Sequence, residues 1–421
     1  MKPEGEEFSE LNGVKGVKEV EGLAADRDGP SDVPECEVLR EMAMRAGIKR
    51  VHFLAWRDLD DPEAGGSELH AHRIASQWAA AGIDVSFRTS SVPGRPVSVS
   101  RDGYRVRRKS GRYGVFATAA WEGRRDGVEE GDALVEVWNG MPFFSPLWYR
   151  GPRITFLHHV HAEMWGMVLP SFLAGMGTLI ERRLAPPIYH RSRIVTLSES
   201  SRAEIVEMLG FAPSRVSVVP PGVEPRFSAG GERSKAPLVV AVGRLVPVKQ
   251  FDQLIESLVL ARKRCPELQA AIIGEGYERN RLEDLVDRYE AGEWLTLPGR
   301  VDDAEIVDWY RRAWVVASTS SREGWGMTLT EAAACGTPAV ATDIAGHRDA
   351  VVDGQNGILA EGVFGIADAL VEVLNDEKLR ERFAKNALER SRWFRWERTA
   401  RSTLQVLVDQ VDEHSWTRDA L

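Results

Sequence analysis

Two carboxylates, Glu323 and Glu331, stand at either end of a glycine-broken stretch, Glu323-Gly324-Trp325-Gly326-Met327-Thr328-Leu329-Thr330-Glu331. A short apolar run before it, Trp314-Val315-Val316-Ala317, reads as a buried parallel strand, and the small residues Ala332-Ala333-Ala334-Cys335-Gly336 after it read as a helix. The Thr328-x-x-Glu331 spacing predicts a capping box, with the helix starting near Thr328. Gly324 and Gly326 then lie in the turn that feeds the helix. Glycine there leaves N–H groups unhindered, and the positive end of the helix favours an anion such as phosphate. Carboxylates repel phosphate, so Glu323 and Glu331 suit the neutral hydroxyls on either side of it: a sugar at one end and a ribose at the other. The plainer alternative makes Glu331 a capping partner and Glu323 a solvated loop acid.

Other candidates lie at strand ends. Arg244 and Lys249 follow the strand Leu238-Val239-Val240-Ala241-Val242 and Gly243. Strand C-terminal ends face the ligand crevice of a doubly wound sheet, so an Arg and a Lys there suit a diphosphate, unless they are only surface charge beside a helix start. Leu157-His158-His159-Val160-His161 follows the strand Arg153–Leu157. Three histidines suggest a metal, yet no Cys or carboxylate partner is evident apart from Glu163. The better reading turns one of them into the cleft as a donor to a sugar hydroxyl and leaves two for packing or the loop. Asp58-Leu59-Asp60 is a D-x-D, which holds a metal-bound diphosphate in some folds, but here it sits in an acidic loop straight after the first strand. No metal site is expected. Gly65-Gly66 lies between the first strand and its helix, either a tight turn or a close approach to a phosphate or sugar.

The elements that must hold these groups alternate between strand and helix. Strands are expected at Arg50–Trp56, Ile83–Phe87, Tyr104–Val106, Ala133–Trp138, Arg153–Leu157, Arg193–Leu197 and Val216–Val219, with a helix from Ser67 to Gly82. A second series runs through Leu238–Val242, Ala270–Ile273, Trp294–Leu297, Trp314–Ala317, Ala339–Ala341 and Gly357–Leu359, with a helix over Lys249–Cys265. The pattern predicts two doubly wound α/β domains, residues 48–227 and 237–392, joined by a polar linker over 228–236. Residues 1–47 read as an acidic, disordered tail with room for a short helix near Glu37–Ala46. Residues 393–421 read as a helix whose aromatic cluster, Trp393, Phe394 and Trp396, needs a large surface and so crosses back to the first domain.

The 421-residue length suits two domains, and 43% hydrophobic with 28% charged residues is ordinary for a globular chain. A net charge of −9 argues against nucleic acid as a partner. Cys36, Cys265 and Cys335 form no disulfide or metal pattern, which fits a reducing cytoplasm. No signal peptide or spanning run is evident. The apolar segment Met164–Leu173, followed by Arg182, Arg183, Arg191 and Arg193, reads either as a packed helix or as a peripheral contact with the inner membrane face.

Together these motifs resemble the retaining GT-B glycosyltransferases, most closely glycosyltransferase family 4. Glu323 and Glu331 match that family's E-x7-E pattern, Gly243-Arg244-Leu245 with Lys249 its Gly-Arg-Leu…Lys element, and Glu63-Ala64-Gly65-Gly66-Ser67-Glu68 its N-terminal loop. The His158 stretch and Pro220-Pro221-Gly222-Val223 also match, with Pro-Gly in place of the usual Asn-Gly. The resemblance covers about residues 50 to 395 and excludes the N-terminal tail. It implies two Rossmann-like domains facing each other across a cleft, and transfer of a sugar from a nucleotide diphosphate sugar to an acceptor hydroxyl, with no metal or other cofactor. Glu323 and His158 would then contact the donor sugar, Glu331 the ribose, and Arg244 and Lys249 the leaving diphosphate. Gly243, Gly324, Trp325, Gly326, Met327 and Thr328 would line the donor site, with Arg300 and Val301 at the nucleobase. Gly65, Gly66 and His161 would belong to the acceptor side. A sugar-nucleotide epimerase of the same fold and a non-catalytic sugar-nucleotide binder are the alternatives. The absent G-x-G-x-x-G argues against a dinucleotide oxidoreductase. The nucleobase, the sugar and the acceptor class are not legible.

Overall fold

Runs such as Leu238–Val242 and Val315–Ser318 are apolar on both faces, so they must be covered by helices on both sides, as central parallel strands are. The computed structural model describes residues 33–161, 164–168 and 170–419 and shows two such sheets. The first contains β1 (Arg50–Leu54), β2 (Asp84–Thr89), β3 (Ser98–Arg101), β4 (Tyr104–Arg108), β5 (Asp132–Val137), β6 (Arg153–Phe156), β7 (Arg193–Thr196) and β8 (Val216–Val218), in the order β3-β4-β2-β1-β5-β6-β7-β8. The second contains β9 (Leu238–Val242), β10 (Gln269–Ile273), β11 (Leu295–Gly299), β12 (Val315–Ser318), β13 (Ala339–Thr342) and β14 (Gly357–Ala360), in the order β11-β10-β9-β12-β13-β14. All neighbours are parallel except β3 and β4. That hairpin was not foreseen, although its turn, Asp102-Gly103 with φ of 45° and 85°, is a standard hairpin signal.

The chain order of each sheet reverses once, between β1 and β5 and between β9 and β12. Loops after strands on either side of such a reversal splay apart and leave a crevice at the strand C-terminal ends. The loops that open there carry Gly65-Gly66 after β1, Asn139 after β5, Arg244 after β9 and Ser320–Gly326 after β12.

Three sequence expectations change. Of the tail expected to reach residue 47, residues 1–32 lie outside the described residues; the short helix expected near Glu37–Ala46 forms over Glu35–Arg45, but it belongs to the fold rather than to a tail, with Leu39 and Ala43 buried in the first domain's core. The helix expected from Ser67 begins at Gly66, because the Glu68 carboxylate turns back to accept the Gly65 N–H (2.8 Å) and fixes the start earlier. The helix expected from Lys249 begins at Phe251. Pro247–Lys249 forms a separate 3-10 turn, and Gln250 at φ 48° breaks the path between them.

The last helix, Trp396–Asp419, lies on the first domain: Ala400, Leu404 and Leu407 share a core with Val51, Phe53 and Trp78, and Trp78 Nε1 donates to the Ala400 carbonyl (3.0 Å). Phe394 stays in a cluster of the second domain, against Trp325 (ring centroids 5.1 Å, interplanar 76°). The return crossing runs beside the outgoing one. Val223 N–H donates to the Phe394 carbonyl (2.9 Å) and Thr399 Oγ1 to the Pro220 carbonyl (2.8 Å). No helix among the described residues is long and apolar enough to cross a membrane. Leu404→Ala should cost roughly 2–5 kcal/mol, as a buried Leu truncation does, read as a lower urea midpoint for the transition that reports the first domain.

Candidate active site

The turn after β12 is built on Gly326, whose φ of 83° only glycine adopts freely. The helix Met327–Ala334 therefore starts one residue before Thr328, with Gly326 as its cap, and the expected Thr328–Glu331 capping box does not form. This frees the Glu331 carboxylate, which instead accepts a hydrogen bond from Tyr310 OH (3.2 Å). Burial pushes that carboxyl up to about 7, against the opposing pull of Tyr310 and Arg226. Tyr310 had no signal in the sequence beyond an aromatic on an amphipathic helix.

Glu323 has the opposite fate. Burial works to raise it, yet Lys249, His347 and Ser320 hold it down to about 2. Lys249 Nζ forms an ion pair with Glu323 Oε1, which also accepts from Ser320 Oγ (2.8 Å). The Lys249 turn is stitched to the β12 loop. Thr319 Oγ1 donates to the carbonyls of Lys249 (3.1 Å) and Gln250 (3.0 Å), and Ser321 N–H to that of Val248 (2.9 Å). His347, also unforeseen, is fully buried beneath Gly326, whose added Cβ would lie 3.0 Å from its ring. Trp325 is buried on Phe394, and Gly243 N–H is bound to the Ile273 carbonyl (3.0 Å). Arg300 is exposed just past β11, and Val301 packs against the second domain's core.

The two domains meet at glycines. A Cβ on Gly324 would lie 2.8 Å from the His158 carbonyl oxygen, one on Gly66 3.0 Å from Met327 Sδ, and one on Gly65 3.7 Å from the Arg244 guanidinium. Arg244 Nη1 donates to the Glu63 carbonyl (3.1 Å), so this cation of the second domain reaches the loop of the first. Arg322 Nη1 donates to the Val160 carbonyl (3.2 Å) and to Glu204 Oε2 (2.7 Å). Further out, the Asp349 carboxylate accepts the N–H groups of Glu199 (3.0 Å) and Ser200 (3.3 Å) at the start of the helix Glu199–Leu209.

The histidines of this loop have different surroundings. His158 is buried with Nε2 3.1 Å from His70 Nδ1, and burial keeps its imidazole well below the usual range. His159 instead lies in the field of Glu323, Arg322 and Lys249, with burial pushing it down to about 4, and it stacks on His161 (4.9 Å, 21°). The strand end faces two ways because successive residues alternate sides. His161 N–H donates to Glu181 Oε1 (2.7 Å), and its ring lies 5.2 Å from that of Trp165.

On the first domain, Asn139 Nδ2 donates to Ser67 Oγ (3.0 Å), and Ser67 Oγ donates to Glu68 Oε2 (3.0 Å). Arg57 Nε sits 3.3 Å from Glu68. None of Asn139, Ser67, Glu68 or Arg57 was singled out as a site residue from sequence. The D-x-D acids serve as anchors. Asp58 is fully buried on Arg108 (2.6 Å), Arg101 (2.8 Å) and His72 (3.3 Å), and Asp60 also binds Arg101 (3.0 Å). Among the described residues no cluster of three His, Cys, Asp or Glu is arranged to hold a metal ion.

The family model for glycosyltransferase family 4 matches residues 64–227, and that for glycosyl transferases group 1 matches residues 224–390. Curated relatives include the D-inositol 3-phosphate glycosyltransferase of Kribbella flavida, 34% identical over 50% of this chain and 55% of the relative. The enzyme of that name from Pseudarthrobacter chlorophenolicus is 26% identical over 88% of this chain and 96% of the relative. Among solved structures, sucrose-phosphate synthase from Thermosynechococcus elongatus superposes with a TM-score of 0.71 at 20% identity, covering 85% of this chain and 98% of that one. The Anabaena HepE protein in complex with UDP and glucose superposes with a TM-score of 0.65 at 18% identity, covering 89% and 100%. With the two family models meeting where the two sheets meet, and with each sheet's crevice loops facing the other, the chain belongs to the GT-B glycosyltransferases of the family 4 type.

Proposed function

We propose that the chain transfers a sugar, with retention and without a metal ion, from a nucleotide diphosphate sugar held by the second domain to an acceptor hydroxyl held by the first. The observation that carries this is the convergence at one crevice of the Lys249–Glu323 ion pair, the Arg244 guanidinium and the glycine-capped helix start. The UDP and glucose present in the HepE structure support a nucleotide-sugar donor.

In this reading the diphosphate lies at the Gly326–Met327 end of the helix, beside Arg244 and Lys249. Glu323 reaches one way to the sugar hydroxyls and Glu331 the other way to the ribose. As the sugar–phosphate bond breaks, the sugar gains oxocarbenium character and charge grows on the diphosphate. Arg244, Lys249 and the helix N–H groups stabilise that charge where water is excluded. Glu323, the acid on the sugar side among the described residues, is held by Lys249 and Ser320 and so does not serve as a nucleophile in this reading. The acceptor oxygen therefore attacks the face the diphosphate leaves, and a phosphate oxygen takes its proton. In this reading a histidine of the His158–His161 loop hydrogen-bonds a sugar hydroxyl, and His159, which burial pushes down to about 4 and which lies in the field of Glu323 and Lys249, is the candidate the electrostatics favour. The D-x-D acids take no part, being occupied by arginines.

Arg244→Ala, assayed with EDTA present, should lower kcat about a hundredfold while donor Kd moves only a few-fold, since one such donor contributes roughly 3 kcal/mol in the transition state. Undiminished turnover would remove Arg244 from the mechanism. Gly324→Ala places a methyl against the His158 backbone, which cannot yield as a side chain does, so kcat should fall about tenfold or more through looser domain closure. Its Tm should stay near that of the parent, whereas a large fall in Tm would point to a folding defect. The raised Glu331 carboxyl is protonated below about pH 7 in the free protein, and ribose hydroxyls need the ionised form. Donor affinity should accordingly hold above pH 7 and weaken by up to about tenfold per pH unit below it. Titration calorimetry from pH 8 to about 5.5 checks this, and Glu331→Gln should flatten the profile.

A further inference from the structure

The helix Ser171–Leu179 is built inside out for a surface facing water. Its protein side is small: Ala174 and Gly177 are buried, and a Cβ on Gly177 would lie 2.6 Å from the Trp165 ring. Its outer side is large and apolar. Phe172, Met176 and Leu179 fall on one stripe at helical spacing, with Phe172 77% exposed and Leu179 51% exposed. Leu173 and Met167 flank the stripe, and Leu184 extends it along the turns Ile180–Leu184 that continue the helix. An exposed patch of this kind is a contact surface rather than a solvated face.

The exposed charge of its own segment has one sign. Between Ser171 and Arg191 the exposed formal charges are Arg182, Arg183 and Arg191. The single acid of that segment, Glu181, is buried underneath, where it accepts from His161 N–H (2.7 Å) and Trp165 Nε1 (3.1 Å). Arg182 and Arg183 line a surface depression of about 500 Å3, with Glu207 from the helix Glu199–Leu209 as the acid on its wall. Apolar side chains with an arginine border are complementary to an anionic bilayer, whose phosphates meet the arginines while the acyl boundary takes the Phe, Leu and Met side chains.

We propose that this stripe docks the enzyme on an anionic phospholipid bilayer and presents the acceptor side of the crevice to the membrane surface. Glu181 ties the docking helix directly to the His161 loop, and Trp165 and His161 pack together over Gly140, so the bound surface borders the crevice. The link to the acceptor rests on the glycosyl-transfer reading, whereas the docking itself does not.

The test is flotation of the full-length protein with vesicles of phosphatidylcholine alone or with roughly one third phosphatidylglycerol. The wild type should float with the anionic vesicles at least about tenfold more than with the neutral ones, and less at high salt. The combined variant Phe172→Ser, Met176→Ser, Leu179→Ser and the pair Arg182→Glu, Arg183→Glu should each lose about tenfold of that binding. Both should keep the wild-type thermal shift with whichever nucleoside diphosphate stabilises the parent, which shows an intact fold and donor site. No flotation by the wild type, or equal flotation by the variants, would overturn the proposal. So would sedimentation showing a dimer that the serine variant dissociates, since the stripe would then face a second copy. Flotation without any nucleotide binding would leave the docking surface standing and strike the glycosyl-transfer reading instead.

Discussion

The contact on which the site depends is between two backbones. The His158 carbonyl of one domain occupies the space where a side chain on residue 324 of the other would begin, and only glycine permits that approach. The contact brings Glu323 and the helix start of the second domain within reach of the histidine loop of the first. The neighbouring contacts are looser: a Cβ on Gly66 would press on the flexible Met327 side chain, and one on Gly65 would sit at ordinary contact distance from the Arg244 guanidinium. The two domains thus approach closely where side-chain bulk is missing, at Gly324 above all. In such a setting a fixed cation or N–H acts far more strongly than it would in bulk solvent.

The two glutamates show how burial alone leaves the outcome open. Desolvation disfavours the ionised form of both. Glu323 stays ionised because Lys249 sits directly on it, and Glu331 is driven towards neutrality because its hydroxyl and distant guanidinium partners do not offset desolvation. One carboxylate is therefore paired with a cation, and the other has, among the described residues, only the Tyr310 hydroxyl as its hydrogen-bond partner. The Glu323 setting comes from loops that the sheet brings together, since Lys249 follows β9 and Glu323 follows β12, whereas Glu331 and Tyr310 meet between two helices, Met327–Ala334 and Asp303–Arg312.

Much of the architecture was legible. Apolar runs flanked by glycine and polar loops located nearly every strand of both sheets, because a strand covered on both faces must be continuously hydrophobic. Strand β3 was missed, since Ser98–Arg101 sits at the sheet edge with no residue buried, whereas its partner β4 was located at Tyr104–Val106. Helix starts were less secure. Thr328 with Glu331 and Ser67 both looked like caps, but a left-handed glycine and a backward-turning Glu68 supply the caps instead. Local chemistry offers several ways to satisfy the same orphan N–H groups, and the tertiary setting selects among them.

For the site, the residue types and their order along the chain were enough to nominate Glu323, Glu331, Arg244, Lys249 and the paired glycines, because phosphate and hydroxyl recognition demands those groups at strand ends. Sequence could not say that His158 meets His70 while His159 lies in the field of Glu323 and Lys249, because the two differ only in which side of the strand end they face. Nor could it show Tyr310 beneath Glu331, His347 beneath Gly326, or the arginines that occupy Asp58 and Asp60. Those partners lie on other elements, and pairing over such distances is settled by how sheets and helices pack. The sequence by itself determined two crevice-bearing sheets and the chemistry gathered at their loops. Only the tertiary structure decided which groups face one another and with what charge, because a carboxylate or an imidazole takes its protonation from what the folded chain places beside it.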